Sequence, residues 1–399
     1  MKIHILIVLL MCFLCSADTK YVDGDLGTGD NDGTSWANAW RTLAQAGDVT
    51  AVAPGDIVLV SNSVTYSAQD AATSAIITID DSGTLADGMI TYQGCDGTGT
   101  DESDFVAAQV ILEATTNSLN YCINISGSFI SVRNFTVSGA TGGFQTGIYG
   151  TASDNSEVIN CIASDNDGTG IQMDDQCFVA GCVAFDNAIG FDADNYNTMY
   201  GCDGHDNTTS NFTMNIGFYI NCLSYGTLTN HFVISANGTQ SGIFNCTIDG
   251  ENAGVGMLFD DASQNVLPMI VNNVIYDLAT GAASDTTMHA TTTRAFNNLC
   301  YSNAADTDGD IGLGTWLSDG KLTSAPGFKT EGTDYQPTTV SALIDAGFGL
   351  GYRVIGCYFP GDLATLSNVL NTDTLFDEAG TASASSGGGQ PVIGGSVVR

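Results

Sequence analysis

Asn160-Cys161-Ile162-Ala163-Ser164-Asp165-Asn166, Gly181-Cys182-Val183-Ala184-Phe185-Asp186-Asn187 and Gly201-Cys202-Asp203-Gly204-His205-Asp206-Asn207 are three writings of one phrase. Asn221-Cys222 and Asn245-Cys246 open two more copies, and the steps between the five cysteines are 21, 20, 20 and 24 residues. A second marker follows each cysteine: Gly170-Ile171, Gly190-Phe191, Asn211-Phe212, His231-Phe232 and Gly256-Met257. A period near 20 residues, filled with short alternating apolar runs and no helical period, means stacked β-strands.

Only Asn or Gly precedes each cysteine. These residues tolerate a left-handed backbone best, so the column predicts a sharp bend with φ > 0. The short strand that follows alternates faces. The cysteine and the third residue then point inward and the variable middle residue outward. Copies stack at the inter-strand spacing of about 4.8 Å. About 20 residues with three short strands make one coil of a right-handed parallel β-helix. Such a coil cannot bury its apolar face alone and depends on its neighbours. The cysteines are expected as an interior thiol ladder, because free Cys packs as a small hydrophobe. No C-x-x-C or Cys/His cluster with zinc spacing is present. Disulfides between coils stay open at this point, subject to geometry.

Composition narrows the functions. The net charge is −35, from 44 Asp plus Glu against 9 Lys plus Arg. Such a chain repels nucleic acid and anionic lipid and can collect divalent cations. Residues 1–17 combine a charged start, an apolar run and the small residues Ser16-Ala17, which reads as a secretory signal peptide and places the protein outside the cell or at its surface. The run is too short to span a membrane comfortably. The expected layout is a cap over 18–54 with a short helix within Ala37 to Ala46, a β-helix over 55–358, and a tail over 359–399 with a Ser/Gly-rich linker at 381–390. The Thr/Ala/Asp-rich stretch 279–293 reads as a loop. Self-association through the helix ends or the tail is a further expectation, since open solenoid ends expose strand edges.

Two segments carry a resemblance. Tyr21-Val22-Asp23, Gly29-Asp30-Asn31-Asp32-Gly33-Thr34-Ser35-Trp36, Trp40-Arg41-Thr42-Leu43 and Gly55-Asp56-Ile57-Val58 look like the opening of secreted β-helix proteins of the pectate-lyase-like superfamily. Ala325-Pro326-Gly327-Phe328, Asp334-Tyr335, Ala342-Leu343-Ile344-Asp345-Ala346-Gly347 and Val354-Ile355-Gly356 are similar to its usual ending. The likeness implies the fold. It leaves the activity open, because that superfamily holds lyases, hydrolases, epimerases and non-catalytic proteins.

Chemistry is sought in the acidic columns. Asp165, Asp186 and Asp206 fall four residues after their cysteines, and Asp174 and Asp194 fall three residues after the second marker's apolar residue. Asp175, Asp192 and Asp203 sit nearby at outward positions. Carboxylates stacked about 5 Å apart repel by roughly 1 kcal/mol in water. Turn amides offset this in one reading. In the other, calcium does, with Asp165, Asp186 and the loop-like Asp306, Asp308 and Asp310 as ligands. For members of the superfamily that are lyases, the resemblance implies a Lys or Arg base. None occurs between Asn134 and Thr293, and Arg133 borders that stretch as the sole candidate. A glycoside hydrolase needs two carboxylates with one kept protonated. Asp174, Asp192, Asp194 and Asp206 are the candidates, with His205 as helper. The expected partner is a polysaccharide or cell-surface glycan, bound in every case and cleaved if the aspartates are catalytic. The competing expectation is a non-catalytic adhesive or fibre-forming β-helix.

Overall fold

The structure is a computed structural model, and it describes residues 17–47, 52–67, 74–97, 109–114, 119–142, 145–234, 241–259, 269–284, 294–296, 298–301, 303–308, 328–330 and 334–337. The signal-like start, most of the closing segment and the tail lie outside the described residues. The chain is nearly all β, its strands pair in parallel across long sheets, and the fold is a parallel β-helix. It divides into two units: residues 1–162 with 172–177, and residues 163–171 with 178–399.

The first unit begins with strand Thr19–Val22, which pairs with Ile57–Ser61. That strand continues through Ile90–Cys95, Ile130–Arg133 and Glu157–Ile159. Two further strips run alongside: Ala75–Ile79, Tyr121–Ile125 and Thr146–Gly150, then Tyr66–Ser67, Val110–Glu113 and Phe135–Ser138. The expected helix within Ala37 to Ala46 forms as two pieces, a 3-10 turn Trp36–Asn38 and an α-turn Leu43–Ala46. Trp40 breaks it: its backbone bonds Tyr21 and Asp23 and bridges Val22. A capping box between Thr42 and Gln45 starts the second piece. Leu43 and Ala46 are buried, and the Tyr92 hydroxyl donates to the Ala46 carbonyl at 2.9 Å.

The second unit holds the regular coils, each with three strips. Strip I contains Val183–Phe185, Asp203–His205, Leu223–Tyr225, Thr247–Asp249, Val274–Tyr276 and Leu299–Tyr301. Strip II contains the first halves of the long strands Ile189–Tyr200 and Ser210–Ile220, then Asn230–Ile234, Val255–Phe259, Thr280–Ser284 and Ala305–Asp308. Strip III contains Phe178–Ala180, the second halves of the long strands, Gly242–Phe244, Met269–Val271 and Arg294–Phe296.

The repeat columns become packing. Asn160, Gly181, Gly201, Asn221 and Asn245 all have φ between 53° and 61°, so the predicted left-handed bend is present in every copy. Cys161, Cys182, Cys202, Cys222 and Cys246 are thiols outside any disulfide and are completely buried. Inside strip II, Phe191, Phe212 and Phe232 stack at centroid distances of 4.9 and 4.6 Å. An asparagine ladder closes the corner after strip I: the Asn187 amide donates to the carbonyls of Ala163 and Phe185, and its oxygen accepts from the backbone and amide of Asn166.

The second marker changes from Gly190 to Asn211 to His231, and the facing strand changes with it. A Cβ on Gly204 would meet the Cβ of Asn211 at 2.9 Å, so glycine is what makes room there. The Asn211 amide bonds the Gly204 carbonyl and the Ser224 hydroxyl, which in turn bonds His231 Nδ1 at 2.8 Å. Burial lowers the His231 pKa to about 3, so this ring is neutral and structural.

Two expected loops are strands where they are described. Thr280–Ser284 pairs with Val255–Phe259, and Ala305–Asp308 pairs with Thr280–Ser284. The pattern of alternating small and polar residues at 279–284 looks like a loop, yet stacking on an existing rung supplies its hydrogen-bond partners.

Candidate functional site

The predicted site residues separate by strand. Asp192 and Asp194 lie on strip II, at outward positions two residues apart on strand Ile189–Tyr200. His205 lies on strip I, and Asp206 follows it in the turn. Asp174 and Asp175 belong to the first unit, where the Asp174 carboxylate accepts the Ala152 amide at 2.7 Å. Within the second unit the candidates form an Asp192–Asp194 pair on strip II and a His205–Asp206 pair on strip I.

Successive outward residues of a strand stand about 6.6 Å apart. Burial raises the Asp192 pKa to about 6, and the neighbouring Asp194 charge adds to the shift. The Asn215 amide donates to Asp194 Oδ1 at 2.7 Å from the next coil. That bond holds one carboxylate in place while the other is pushed toward its protonated form.

Two residues farther along the strand, the register slips between Asn195 and Asn197. Tyr196 is the extra residue, at φ 62°, with 60% of its surface exposed. A bulge of this kind re-aims one side chain next to a functional surface. The opposing Gly217 has φ 153°, and a Cβ there would meet the Asn197 carbonyl oxygen at 2.1 Å. The sequence marked Tyr196 only as one of several aromatics. Nothing local announces a bulge, since this coil and the next both take 20 residues from cysteine to cysteine.

On strip I the His205 ring is sandwiched between Phe185 and Tyr225, at 5.1 and 4.7 Å and nearly parallel to both. Its Nδ1 lies 3.0 Å from Asp206 Oδ2. Asp203, two residues earlier, has its pKa raised to about 7 by burial, with His205 opposing the shift, and its buried Oδ1 has no hydrogen-bond partner. The sequence placed Asp203 on an outward position, and the structure has it there, half-buried, with its Oδ1 shielded from solvent. Its neighbours in the column are Val183 and Leu223, which is the available signal.

The acids proposed for metal are placed as follows. Asp165, Asp186 and Asp206 have φ of 55°, 54° and 52°, so the column is a left-handed turn position, which Asp tolerates better than most residues. This gives the column a conformational origin. Asp306 and Asp308 lie on strand Ala305–Asp308, so the expected loop geometry is replaced by a strand up to 308. Asp310 lies outside the described residues. The pair Asp192 and Asp194 offers carboxylate oxygens of the type calcium takes, and Asn215 turns its amide nitrogen, not its oxygen, toward Asp194.

Arg133, the single candidate for a basic catalyst, is committed elsewhere. Its guanidinium lies 2.6 Å from Glu157 and donates to the Ser131 hydroxyl, which donates to the same carboxylate. An ion-paired arginine on the face of the first unit is a poor proton acceptor.

This fold is shared with known polysaccharide-active proteins. The chain superposes on pectate lyase Pel9A with a TM-score of 0.60 and 17% sequence identity, over 84% of this chain and 93% of that one. Lesser likenesses are to a rhamnogalacturonan lyase (TM-score 0.45, 14% identity, 79% of this chain and 91% of that chain) and to a GH136 lacto-N-biosidase from Eubacterium ramulus (0.47, 9%, 77% and 67%). No family model matches the sequence, and no curated protein matches it. The fold class that follows is the parallel β-helix. At 17% identity the likeness is one of fold alone.

Proposed function

We propose that the protein is exported, engages an extracellular polysaccharide through the second unit, and hydrolyses it with Asp192 as general acid and Asp194 as the second carboxylate. The observation that carries this reading is the Asp192 carboxyl, held at about 6 beside a second outward carboxylate that is fixed by Asn215. Glycoside hydrolysis needs two carboxyl groups whose environments push their protonation apart. Asp192 in its acid form would protonate the departing glycosidic oxygen. Asp194 would accept a proton from the attacking water, or stabilise the positive charge that develops on the sugar. A strand spacing of about 6.6 Å falls nearer the separation that leaves room for a water between them. The substrate under this reading is neutral or weakly acidic, because the sequence from 134 to 293 offers no Lys or Arg to neutralise a uronate.

Calcium belongs to the reading as an ion collected by the acidic columns away from Asp192, whose carboxyl must keep its proton to act as the acid. No described helix is long and apolar enough to cross a membrane.

The test is reducing-end release on neutral and acidic polysaccharides, run with calcium and with a chelator, while ultraviolet absorbance is followed for unsaturated products. Reducing ends without absorbance, lost by 100-fold or more in Asp192→Asn, are expected, about the contribution of a positioned acid. Rising absorbance would identify a lyase and overturn the reading. Silence on every substrate, with the protein folded, would leave the non-catalytic β-helix in its place.

A further inference from the structure

The left-handed positions of the second unit are filled by residues that tolerate them, with one exception. Asp165, Asp186 and Asp206 hold one column and Asn221, Asn245 and Asn272 another, all with φ between 52° and 59°. Tyr196, at φ 62°, is the aromatic exception among that unit's described residues. A bulky side chain in this conformation crowds the carbonyl oxygen that follows it. Strain of this kind persists where a site uses the residue that bears it.

The ring recovers little of that cost inside the protein. Tyr196 keeps 60% of its surface exposed. Other tyrosines of the unit are engaged: the Tyr219 hydroxyl donates to the Val233 carbonyl at 3.3 Å, the Tyr276 hydroxyl donates to Asp249 at 2.7 Å, and Tyr225 stacks on His205 at 4.7 Å. Among the described residues, the Tyr196 side chain has no stacking or hydrogen-bond partner. Its place on the strand is equally specific. The register slip falls directly after Asp194, where Asn195 pairs with Ile216 and Asn197 with Gly217. Asp194 and Tyr196 are exposed while Ala193 and Asn197 are buried, so the carboxylate and the ring share one outer surface.

We propose that Tyr196 is the sugar-positioning residue of the Asp192–Asp194 site, its ring packing on the C–H face of one pyranose unit of a neutral glycan beside the carboxylates. The neighbourhood sets the ligand class. Carboxylates accept hydrogen bonds from sugar hydroxyls and repel a uronate. A tyrosine ring adds a large apolar surface that costs little conformational entropy to hold in place. The inference rests on the glycan reading above. It is separable from hydrolysis, because a positioned sugar is bound whether or not it is cleaved.

The test is titration of cellohexaose into full-length protein carrying Asp192→Asn, so that binding is read without turnover. Cellohexaose is a neutral chain whose units show C–H bonds on both faces, and hexameric oligogalacturonate is the charged comparison. Binding of cellohexaose but not of the uronate is expected. Adding Tyr196→Asn should weaken it about tenfold. The same exchange should raise the denaturation midpoint, because Asn suits a left-handed backbone. Misfolding cannot give both results. Tyr196→Trp should keep the affinity, and the emission of the new indole should shift as cellohexaose is added. In protein with Asp192 intact, Tyr196→Asn should raise KM for reducing-end release more than it lowers kcat. If Tyr196→Asn binds as its parent does, the inference is overturned while the hydrolase stands. Uronate bound as tightly as cellohexaose, or no cellohexaose bound, also overturns it. Binding that needs Tyr196, without any release of reducing ends from the native protein, would uphold the positioning role and overturn the hydrolase.

Discussion

Two ring ladders run through the same coils of the second unit, one inside and one outside. Phe191, Phe212 and Phe232 stack within the core, and Phe185, His205 and Tyr225 stack on the outer face of strip I. Their spacings are nearly the same, because the rung spacing sets both. Their surroundings are not. The inner rings are completely buried. The outer column passes from Phe185 to His205 to Tyr225 and ends against Asp249, which binds the Tyr276 hydroxyl at 2.7 Å. The stack follows from the repeat. What varies from coil to coil is the outward residue, and the differences in chemistry lie there.

The largest effect expected from this contrast is on the inner ladder. Phe212→Ala removes a ring packed on Phe191, Phe232 and the edge of Tyr219, and should destabilise the protein by about 3–5 kcal/mol. Chemical denaturation measures it. A cost below about 1 kcal/mol would mean that the core column relaxes freely, and the contrast between the ladders would fail. Asn187→Ala acts on the same coils by another route. It leaves the carbonyls of Ala163 and Phe185 and the amide of Asn166 without their partner. The expected loss is about 2–3 kcal/mol.

The next effect has the opposite sign. Asp203 has its pKa raised to about 7, against about 3.9 for an aspartate in an unfolded chain. Between those values the native state holds a proton that the unfolded state has lost. Its contribution to stability is therefore intact below about pH 4 and falls away as pH rises through 7. Asp203→Asn keeps the shape and removes the titration. It should be more stable than the native protein by on the order of 2 kcal/mol at pH 8, and no more stable at pH 4. A variant that loses stability at pH 8 would show that the Asp203 charge is compensated in solution.

How much of this the sequence disclosed follows the same division. The Asn/Gly bend, the thiol column and the inward third residue were legible, because each is a local demand repeated at a fixed period. The bend had the clearest signal, since φ > 0 admits few residue types. The pairing of Gly204 with Asn211 and of Ser224 with His231 was written in two columns, yet only the corner between strips I and II brings them together. The site was less legible. Asp192, Asp194, His205 and Asp206 lie within fifteen residues of one another, which invited a single cluster. The chain crosses strip III between Asp194 and His205, so adjacency in sequence becomes separation onto two strips. The bulge at Tyr196 has no local signature, and the shielding of the Asp203 carboxylate is legible only from the neighbouring rungs, Val183 and Leu223.

The smallest effect is the one that sharpens the comparison most. If His205 belongs to the outer ladder for its ring and not for its nitrogens, then His205→Phe should preserve the stack between Phe185 and Tyr225. The exchange gives up one contact with the exposed Asp206 carboxylate, and exposed pairs of this kind contribute about 0–1 kcal/mol. Stability should change by less than about 1 kcal/mol, and the release of reducing ends should keep both its rate and its pH profile, because the proposed chemistry lies with Asp192 and Asp194 on strip II. His205→Ala serves as the control, since it opens a gap in the stack and should cost more than the phenylalanine. A hydrolytic rate that falls tenfold in His205→Phe, with stability unchanged, would assign the imidazole a part in the chemistry. The outer ladder would then be a functional column, and the proton transfers proposed for strip II would have to be shared with strip I.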